Sequence, residues 1–374
     1  MQQNLAKATG IITIDLSQIA ANWKALATRV APAECAAVVK ADAYGLGAAR
    51  IIPTLVKAGC KTFFVATPSE AEAARKLAPD AVIYILYGLI DACAGDYLRL
   101  NVRPVLSMYD DILTWADTCK KKGVRPPAGL HIDSGLNRLG LPAAETRQLA
   151  GNTGLVHALN LSLVMSHLAS ADAPRDVKNR EQLIAFETLS SLFPGVTRSL
   201  AASDGLMLGA GFHFDLVRPG YALYGGQALR GERAPVQPVV TAAARVLAIN
   251  TVAPGSGVGY GAAWRASRQS RIAVISAGYA DGLPRGASAT TDSSGGFVMF
   301  GPHKAPIAGR VSMDLTTVDI SNLPLDAVKP GDFAKIIGAG LTIEDVGTQS
   351  GTIGYEILTR LGPRFQRLYL DDRD

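Results

Sequence analysis

Cysteine is scarce in this sequence, and no long apolar run occurs in it. Its four cysteines, Cys35, Cys60, Cys93 and Cys119, are widely spaced among 374 residues and form no C-x-x-C pair. That spacing argues against a zinc site and against a disulfide framework, so we expect no bound metal and a reducing compartment. No stretch approaches the roughly 18 apolar residues of a membrane helix. The apolar core of a signal peptide is missing from the first residues, MQQNLAKATGIITIDL. We therefore expect a cytoplasmic protein that is not inserted in a membrane.

Charged residues are also few, at 18% of the chain, and the basic ones are dispersed. The net charge is +5, but the only tight basic run is KKK at 120–122, which is typical of a solvated helix end. No row of arginines with interleaved aromatics accompanies it, so nucleic-acid binding is not expected. Hydrophobic residues make up 48% of the chain, and this content over such a length predicts a large core and two domains.

Short apolar runs alternate with longer amphipathic segments over the first part of the chain. Eight runs predict strands: AAVV (36–39), TFFVA (62–66), VIYILY (82–87), RPVLS (103–107), GLHID (129–133), LSLVMSH (161–167), TRSLAAS (197–203) and FDLVRPG (214–220). Segments between them, such as 69–78 and 176–193, show helical spacing of apolar residues. Eight alternations over roughly 200 residues favour a (β/α)8 barrel of the TIM type, and a doubly wound open sheet is the alternative.

Residues capable of chemistry stand at the ends of these predicted strands. Lys40, Asp133, His167, Ser203 and Arg218 all fall at or just beyond the carboxyl end of an apolar run. In a barrel such ends converge on one face, where active sites are built, whereas an open sheet spreads them along an edge. The pattern therefore favours the barrel.

After residue 235 the pattern changes to β-type segments with turn signals. These include VTAAARVLAI, RIAVISAG, GGFVMF, TTVDI and DFAKIIG, and the one helical period of comparable length is GYEILTRLG. We therefore predict an α/β chain with an N-terminal (β/α)8 barrel over 12–234 and a mostly β domain over 235–374. An N-terminal strand within residues 1–11 is expected to pair with the second domain.

Lys40 ends an apolar run in AAVVKADAYGLG, although lysine is seldom buried without a partner or a purpose. Most lysines are solvated surface groups. At a desolvated strand end, however, the pKa of an amine falls, which suits it to form a Schiff base with an aldehyde cofactor. Tyr44 and the glycines beyond it predict a close-fitting turn beneath a flat ligand.

Two further segments predict a phosphate site. Ser203 begins a strand-to-turn segment, and RPGYALYGG offers a similar turn at Gly220 and Tyr221. Backbone N–H groups and a hydroxyl at such turns bind phosphate, and barrels commonly hold phosphate at their last two strands. Two ordinary turns between strand and helix are the alternative.

Three other residues have simple structural alternatives. Arg138, in IDSGLNRLG, is otherwise a surface arginine beyond a turn, and a lone histidine such as His167 is more often structural. Tyr279 follows a strand in SAGYADGLPRG, where a hairpin tip explains the glycines but not the tyrosine. A phenol serves as a proton carrier when nearby cations favour its ionised form.

Together, AVVKADAYGLG, IDSGLNRLG, SHLASAD, DLVRPGYALYG, AGYADGLPR, GRVSMD and GTIGYEIL resemble the alanine racemases that use pyridoxal 5'-phosphate (PLP). The resemblance runs in order through nearly the whole chain. It implies a PLP-binding barrel, a β domain and a homodimer whose active sites take residues from both subunits. It also implies interconversion of L-alanine and D-alanine, which supplies D-alanine for peptidoglycan.

By position, Lys40 is similar to the lysine that forms the Schiff base with PLP and acts as one of two bases. Tyr279 of the partner chain is similar to the other base, since racemisation removes a proton from one face of Cα and returns it on the other. His167 resembles the histidine that links this tyrosine to the arginine beneath the ring. Arg218 resembles the arginine that faces the pyridine nitrogen, where it disfavours protonation of that nitrogen and limits side reactions such as transamination.

The resemblance implies a further set of binding residues. The cofactor contacts are Tyr44, Ser203, Gly220, Tyr221 and Tyr355. Arg138 and Met313 resemble the contacts to the substrate carboxylate, the latter through its backbone N–H and again from the other subunit. An arginine holds a carboxylate in a fixed plane, which orients the Cα–H bond.

Four positions differ from the commoner pattern of that family. His131 stands where many members have a lysine that is often carbamylated, and Ala202 replaces an asparagine beside the phosphate serine. Leu46 replaces a histidine near the cofactor turn, and Ser312 replaces a cysteine. None of these changes removes a catalytic group. A carbamate cannot form on His131, so another group is expected to orient Arg138.

Three rival functions are considered. A PLP-dependent decarboxylase on the same plan has no evident need for Tyr279 as a base. A non-catalytic PLP-binding protein has no reason to keep a second base and Arg138. A racemase of broader range, including serine, stays open, because one methylene changes binding in an apolar pocket by only about 1 to 3 kcal/mol.

Overall fold

The computed structural model describes residues 7–227 and 235–371. They form two compact units: one contains the residues up to Gln18 together with those from Pro238 onward, and the other spans Ile19–Gln237. In the described ranges no helix is long and apolar enough to cross a membrane.

The described residues form the following elements. The strands are β1 (Gly10–Asp15), β2 (Glu34–Cys35), β3 (Ala37–Val38), β4 (Thr62–Val65), β5 (Val82–Ile85), β6 (Arg103–Leu106), β7 (Ala128–His131), β8 (Leu161–Met165), β9 (Thr197–Ser199), β10 (Leu216–Val217), β11 (Val240–Val252), β12 (Gly257–Val258), β13 (Trp264–Arg265), β14 (Ser270–Ile275), β15 (Phe297–Phe300), β16 (His303–Pro306), β17 (Thr316–Asp319), β18 (Phe333–Ile337) and β19 (Gln366–Leu370). The helices are α1 (Leu16–Val30), α2 (Ala48–Ala58), α3 (Pro68–Leu77), α4 (Ala94–Arg99), α5 (Tyr109–Lys122), α6 (Ala143–Gly151), α7 (Thr153–Leu159), α8 (Val177–Ser190), α9 (Ile343–Gln349) and α10 (Gly354–Thr359).

Parallel strands close into a ring in the unit Ile19–Gln237. Strands β3 to β9 form a parallel sheet in chain order, and β10 pairs in parallel with β2. The ring closes because the Ala36 N–H donates to the carbonyl oxygen of Val217 (3.0 Å) and the Arg218 N–H donates to that of Ala201 (3.0 Å). The predicted (β/α)8 barrel is therefore confirmed. Its first position is shared by β2 and β3.

The barrel strands are short and apolar because both of their faces are covered. All four residues of β4, TFFV, are buried, as is usual for parallel strands enclosed by helices. The helix that follows, α3, begins at a capping box in which Thr67 and Glu70 satisfy each other's backbone N–H groups, with Pro68 at its first position. This capping places the carboxylate of Glu70 beside the barrel strands.

Antiparallel strands dominate the other unit, as expected for a mostly β domain. Strand β1 lies between β11, its antiparallel neighbour, and β19, its parallel neighbour. Strand β14 pairs with β11 and with β17. The compact unit thus includes the chain up to Gln18, because β1 is hydrogen-bonded on both sides by strands from the second part of the chain, β11 and β19.

Several short elements of this unit were not predicted. Helix α9 begins at a capping box formed by Thr342 and Asp345, but its seven residues are too few to show a helical period. Strands β12 and β13 have two residues each and pair with each other, β16 is polar and pairs with the neighbouring β15, and β19 pairs with the distant β1. Two residues are too few to show an alternating pattern, and a local pattern does not contain the long-range pairing of β19.

Arg75 of α3 ties together the loops at the amino-terminal end of the barrel. Its guanidinium donates to the backbone carbonyl oxygens of Leu100 (2.9 Å), Ala78 (3.1 Å), Pro79 (2.7 Å), Ala81 (2.8 Å) and Asn101 (2.7 Å). These carbonyls lie in the segments that lead into β5 and β6. In barrels this end serves stability rather than catalysis, so Arg75 is expected to stabilise the fold.

We expect Arg75→Lys to lower the free energy of unfolding by about 3 kcal/mol, because an ammonium cannot reach all five carbonyls. Urea unfolding at neutral pH measures the change. The matched control is Arg99→Lys, whose exposed side chain pairs with Asp96 at 3.0 Å and should cost less than about 1 kcal/mol. Equal effects of the two substitutions would contradict the assigned role.

Candidate active site

Lys40 lies two residues after the end of β3, at the carboxyl-terminal end of the barrel strands. Its side chain is half-buried. The pKa of Lys40 is lowered by burial and by the positive charge of Arg138, opposed by Glu70 and reinforced by Arg218. A lowered pKa raises the fraction of neutral, nucleophilic amine near neutral pH.

The chain after Lys40 forms a left-handed turn. Ala41, Asp42, Ala43 and Tyr44 have φ values of 52°, 53°, 54° and 57°. This conformation costs roughly 1 to 2 kcal/mol for each residue that carries a Cβ. Four such residues in succession persist only where the surrounding structure holds them.

Two carboxylates hold the left-handed turn. The Ala41 N–H donates to Glu70 Oε1 at 2.7 Å, while Oε2 of the same carboxylate accepts from the Ala66 N–H at 2.7 Å. Asp42 Oδ1 accepts from the N–H of Ala48, the first residue of α2, at 2.7 Å. Glu70 was not predicted as a site residue, and its only sequence signal is the capping box of α3. These bonds anchor the backbone from which Lys40 projects.

Tyr44 packs tightly against the segment that follows β10. Its ring lies 5.0 Å from that of Tyr224, at an interplanar angle of 39°. The Tyr224 hydroxyl donates to the carbonyl oxygen of Val38 at 3.0 Å. A Cβ at Gly220 would collide with the hydroxyl oxygen of Tyr44, so this close approach requires glycine.

Ser203 joins the turns that follow the last two barrel strands. Its Oγ accepts hydrogen bonds from the N–H groups of Gly220 (3.0 Å) and Ala222 (3.1 Å). An oxygen that accepts both bonds directs its own proton elsewhere. Tyr221 is buried at the start of the 3₁₀ turn Tyr221–Tyr224. The two segments predicted to bind phosphate are thus in direct contact.

Arg218 is a buried cation surrounded by neutral acceptors. Its guanidinium donates to Ser199 Oγ at 2.5 Å and to the carbonyl oxygen of Ser166 at 2.6 Å. Across residues 7–227 and 235–371 no carboxylate pairs with it. Burial lowers the pKa of Arg218 to about 9. A positive charge held in this way favours an anionic or electron-rich ligand beside it.

Two histidines near these cations are neutral at neutral pH. Burial, followed by the charges of Arg218, Arg138 and Lys40 and by His131, lowers the pKa of His167 to about 3. Burial and Arg218, opposed by Asp133 and reinforced by Arg138, lower the pKa of His131 to about 4. His131 therefore adds no charge that would orient Arg138.

Asp133 folds the loop that carries Arg138. Its Oδ1 accepts from the N–H groups of Gly135 (2.8 Å), Leu136 (2.9 Å) and Asn137 (3.2 Å). Asn137 adopts a left-handed conformation with φ 56°, which asparagine tolerates. The side chain of Arg138 is exposed, and no carboxylate of the described chain pairs with it. Its guanidinium is available to a ligand.

Gln182 of α8 connects this loop to the end of β8. Its Nε2 donates to the carbonyl oxygen of His167 (2.9 Å), and its Oε1 accepts from the Ala169 N–H (2.7 Å). The same amide lies 3.4 Å from Ser134 Oγ, which is hydrogen-bonded to Ser166 Oγ at 2.7 Å. Gln182 is fully buried and was not predicted, because nothing in a helical pattern marks a polar residue that faces inward.

The β unit carries Tyr279, Met313 and Tyr355. Tyr279 and Met313 lie in neighbouring loops, since the Tyr279 N–H donates to the carbonyl oxygen of Ser312 (3.0 Å) and the Ala280 N–H to that of Met313 (3.1 Å). Their side chains are 46% and 54% exposed. Tyr355 is half-buried in α10.

The barrel thus brings together Lys40, Arg138 and Arg218, each of which lowers the pKa of His167. It also provides a serine and two tight turns suited to an anion. An amine with a lowered pKa in such surroundings is typical of a barrel enzyme that holds a small anionic cofactor or substrate.

Comparison with known proteins identifies the family. Profiles of the N-terminal and C-terminal domains of alanine racemases match residues 14–228 and 239–369. An alanine racemase of Methylobacterium sp. (strain 4-46) is 47% identical over 360 residues, covering 96% of this chain and 97% of that protein. A biosynthetic alanine racemase of Agrobacterium fabrum is 41% identical over 365 residues, covering 96% and 93%. The chain belongs to the alanine racemase family of PLP-dependent enzymes.

A solved structure agrees with this assignment. The alanine racemase of Bartonella henselae, described with covalently bound pyridoxal phosphate, matches with a TM-score of 0.92 at 40% identity. The match covers 97% of this chain and 100% of the other. The family predicted from the motifs is confirmed.

The buried neutral histidine at position 131 predicts a loss of stability in acid. Its pKa is about 4 in the folded protein against an ordinary 6.5, so between these values the unfolded chain binds a proton that the folded protein does not. Stability is therefore retained above the ordinary pKa and falls as the pH approaches the folded value. The free energy of unfolding should therefore fall less in His131→Gln than in the wild type between neutral pH and about pH 5. We expect the difference to be roughly 2 kcal/mol.

Urea unfolding of the cofactor-free protein at about pH 5 and about pH 7.5 measures this difference. His157→Gln, at an exposed position, is the matched control and should keep the wild-type pH dependence. If His131→Gln also keeps it, the assigned burial of the neutral ring is wrong.

Proposed function

We propose that this protein is an alanine racemase that interconverts L-alanine and D-alanine with PLP as its cofactor. The observation that carries the proposal is the amine of Lys40, half-buried at a barrel strand end with a lowered pKa. Membership of the alanine racemase family over both domains gives that amine its chemical context.

The residues of the barrel suit the cofactor. Lys40 holds the cofactor aldehyde covalently through Nζ, and Ser203 binds the phosphate together with the turn at Gly220 and Tyr221. Tyr44 and Tyr355 complete the set of cofactor contacts. When bound, PLP withdraws electrons from the substrate Cα, which makes its proton acidic enough for side chains to remove.

Two bases move that proton on opposite faces of Cα. Lys40 Nζ works on one face, and the phenol oxygen of Tyr279 from the partner subunit works on the other. His167 is neutral and therefore able both to donate and to accept a hydrogen bond, which suits it to link Tyr279 to Arg218. With PLP bound, Arg218 would be the cation beside the pyridine nitrogen, where its charge would oppose protonation of that nitrogen.

Two groups hold the substrate carboxylate. Arg138 presents a guanidinium with no carboxylate partner among the described residues, and the backbone N–H of Met313 has no hydrogen-bond partner in that part of the chain. An arginine and an N–H group together fix the plane of the carboxylate and so orient the Cα–H bond between the two bases.

A homodimer completes the proposed site. Tyr279 is 46% exposed, which is unusual for a base that works away from water. The apolar side chains of Met313 and Leu315 nearby are 54% and 41% exposed, as is typical of a surface that another chain covers. In the proposed dimer Tyr279 and Met313 enter the site of the other subunit. The active site is then incomplete in a single chain.

The cellular role follows from the product. We propose that the enzyme works in the cytoplasm and supplies D-alanine for peptidoglycan. Cys35, Cys60, Cys93 and Cys119 are all unpaired thiols, as is usual in a reducing compartment. The Agrobacterium fabrum relative is described as biosynthetic.

We expect L-alanine incubated with the protein and PLP in deuterium oxide to lose optical rotation while its Cα proton exchanges. Lys40→Ala and Tyr279→Phe should each lower the rate by about 100-fold or more, and the tyrosine variant should still bind PLP. No turnover of alanine with turnover of serine would move the assignment within the family. No turnover of any amino acid despite bound cofactor would indicate a non-catalytic protein.

Mixed dimers test the shared site. A dimer of one Lys40→Ala chain and one Tyr279→Phe chain contains one site with both defects and one site with neither. Differently tagged chains, coexpressed and purified through both tags, should therefore recover about half of the wild-type activity. Each homodimer of a single variant is the control. If both controls are inactive and the mixed dimer is equally inactive, Tyr279 acts within its own chain.

A further inference from the structure

The loops that carry Tyr279 and Met313 extend from adjacent strands. Strand β14 ends at Ile275, which pairs with Thr316 at the start of β17. The Thr316 hydroxyl donates to the carbonyl oxygen of Ala277 at 2.7 Å. Beyond this point the two loops run side by side. The backbone N–H groups of residues 279 and 280 donate hydrogen bonds to the carbonyl oxygens of residues 312 and 313.

Contact between the loops leaves no room for a side chain at one position. A Cβ at Gly278 would collide with the carbonyl oxygens of both Ser312 and Met313. On the other side of the turn, a Cβ at Gly282 would come within 2.6 Å of the carbonyl oxygen of Arg360. The Tyr279 turn is therefore enclosed between the Met313 loop and the segment that follows α10.

Arg364, between α10 and β19, bridges both loops through its side chain. Its Nε and one terminal nitrogen donate to the two carboxylate oxygens of Asp281, at 2.8 Å and 2.7 Å. Its other terminal nitrogen donates to Asp314 Oδ1 at 2.5 Å. Asp281 lies two residues after Tyr279, and Asp314 directly follows Met313. One guanidinium thus connects both functional loops.

Burial makes the Asp281 contact strong. The side chain of Asp281 is 3% exposed, whereas those of Arg364 and Asp314 are 45% and 55% exposed. Asp281 Oδ2 also accepts from the Gly278 N–H at 3.0 Å. A buried carboxylate needs both a counter-charge and hydrogen bonds, so Asp281 depends on Arg364, while the exposed Asp314 contributes mainly the link to the second loop.

We propose that Arg364 is a positioning residue that fixes Tyr279 and Met313 relative to each other by clamping Asp281 and Asp314. The inference rests on the proposed roles of Tyr279 as a base and of Met313 as a carboxylate contact. A base works only when its oxygen is held at a set distance from Cα, and the carboxylate contact sets where Cα lies. Fixing the two loops in register therefore aligns the phenol with the proton that it moves.

The test uses the dimeric holoenzyme and four variants. Arg364→Gln removes the charge, Arg364→Lys keeps it without the planar fork, and Asp314→Asn weakens only the exposed half of the clamp. Arg268→Gln is the matched control, because this exposed arginine of the same unit bonds to Asn322 beyond the opposite end of β14. The readouts are kcat and KM in both directions and amide hydrogen exchange over residues 277–283 and 311–315.

We expect Arg364→Gln to lower kcat by about 10- to 100-fold, since a small misplacement of a reacting group has effects of that size. Exchange should accelerate in the two loops and not elsewhere, and PLP should stay bound. Arg364→Lys should keep more of the activity than Arg364→Gln. Asp314→Asn should lose less of its kcat than Arg364→Gln, with faster amide exchange in the two loops. Arg268→Gln should match the wild type in both kcat and exchange.

Three results would overturn the inference. The first is unchanged exchange in both loops with kcat within about twofold of wild type. The second is faster amide exchange across the whole β unit of Arg364→Gln together with an equal loss of kcat in both directions. That result would make the role of Arg364 purely structural. The third applies if Arg364→Gln does not fold: unchanged exchange and unchanged kcat in Asp314→Asn then decide against the clamp.

The Tyr279→Phe variant separates failure of the clamp from failure of the proposed function. If Tyr279→Phe is active, the proposed function is wrong. If Tyr279→Phe is inactive and Arg364→Gln is fully active, only the clamp is wrong.

Discussion

The half-buried amine of Lys40, at the end of a barrel strand, is the feature on which the rest of the site depends. Burial and neighbouring cations lower the pKa of Lys40. Burying an amine is unfavourable, so the backbone that carries it must be held in place to keep the side chain from moving into water. The left-handed turn after Lys40 provides that fixed backbone at a conformational cost. Glu70 accepts the Ala41 N–H of the turn, and Asp42, within the turn, accepts the N–H of Ala48 at the start of α2, so two carboxylates hold the strained segment that carries Lys40.

The β unit also holds its proposed site residues on a fixed backbone, which keeps the proposed base in place for proton transfer. The barrel fixes its groups through strand ends that belong to one closed sheet, whereas the β unit fixes Tyr279 and Met313 through two adjacent loops. A loop is less rigid than a strand end, and the β unit offsets this through the enclosed turn and the guanidinium of Arg364. In the proposed dimer each subunit then supplies a rigid half of a site that needs both.

Local patterns were enough to predict the barrel, the β unit and the positions of Lys40, Ser203 and Arg218 after barrel strands. Each of these residues stands at the end of an apolar run, so a single-sequence pattern marks it, whereas its chemical role stays a prediction. Glu70, Gln182 and Arg364 could not be found in this way, because each acts through partners 13 to 83 positions away in the chain. Their sequence neighbourhoods look like ordinary helix surface or loop. Residues that orient others are thus harder to predict than residues that react.

His131 illustrates how one such orienting role is fulfilled by backbone instead of charge. A neutral ring at this position cannot attract the guanidinium of Arg138 as an anion would. The loop is held instead by Asp133, whose carboxylate accepts three consecutive N–H groups, and by the buried amide of Gln182. These bonds fix the backbone and leave the side chain of Arg138 without an ion pair among the described residues, so its guanidinium is available for the substrate carboxylate that we propose it binds. In that proposal the direction of the guanidinium depends on loop geometry, which connects substrate binding to the packing of α8.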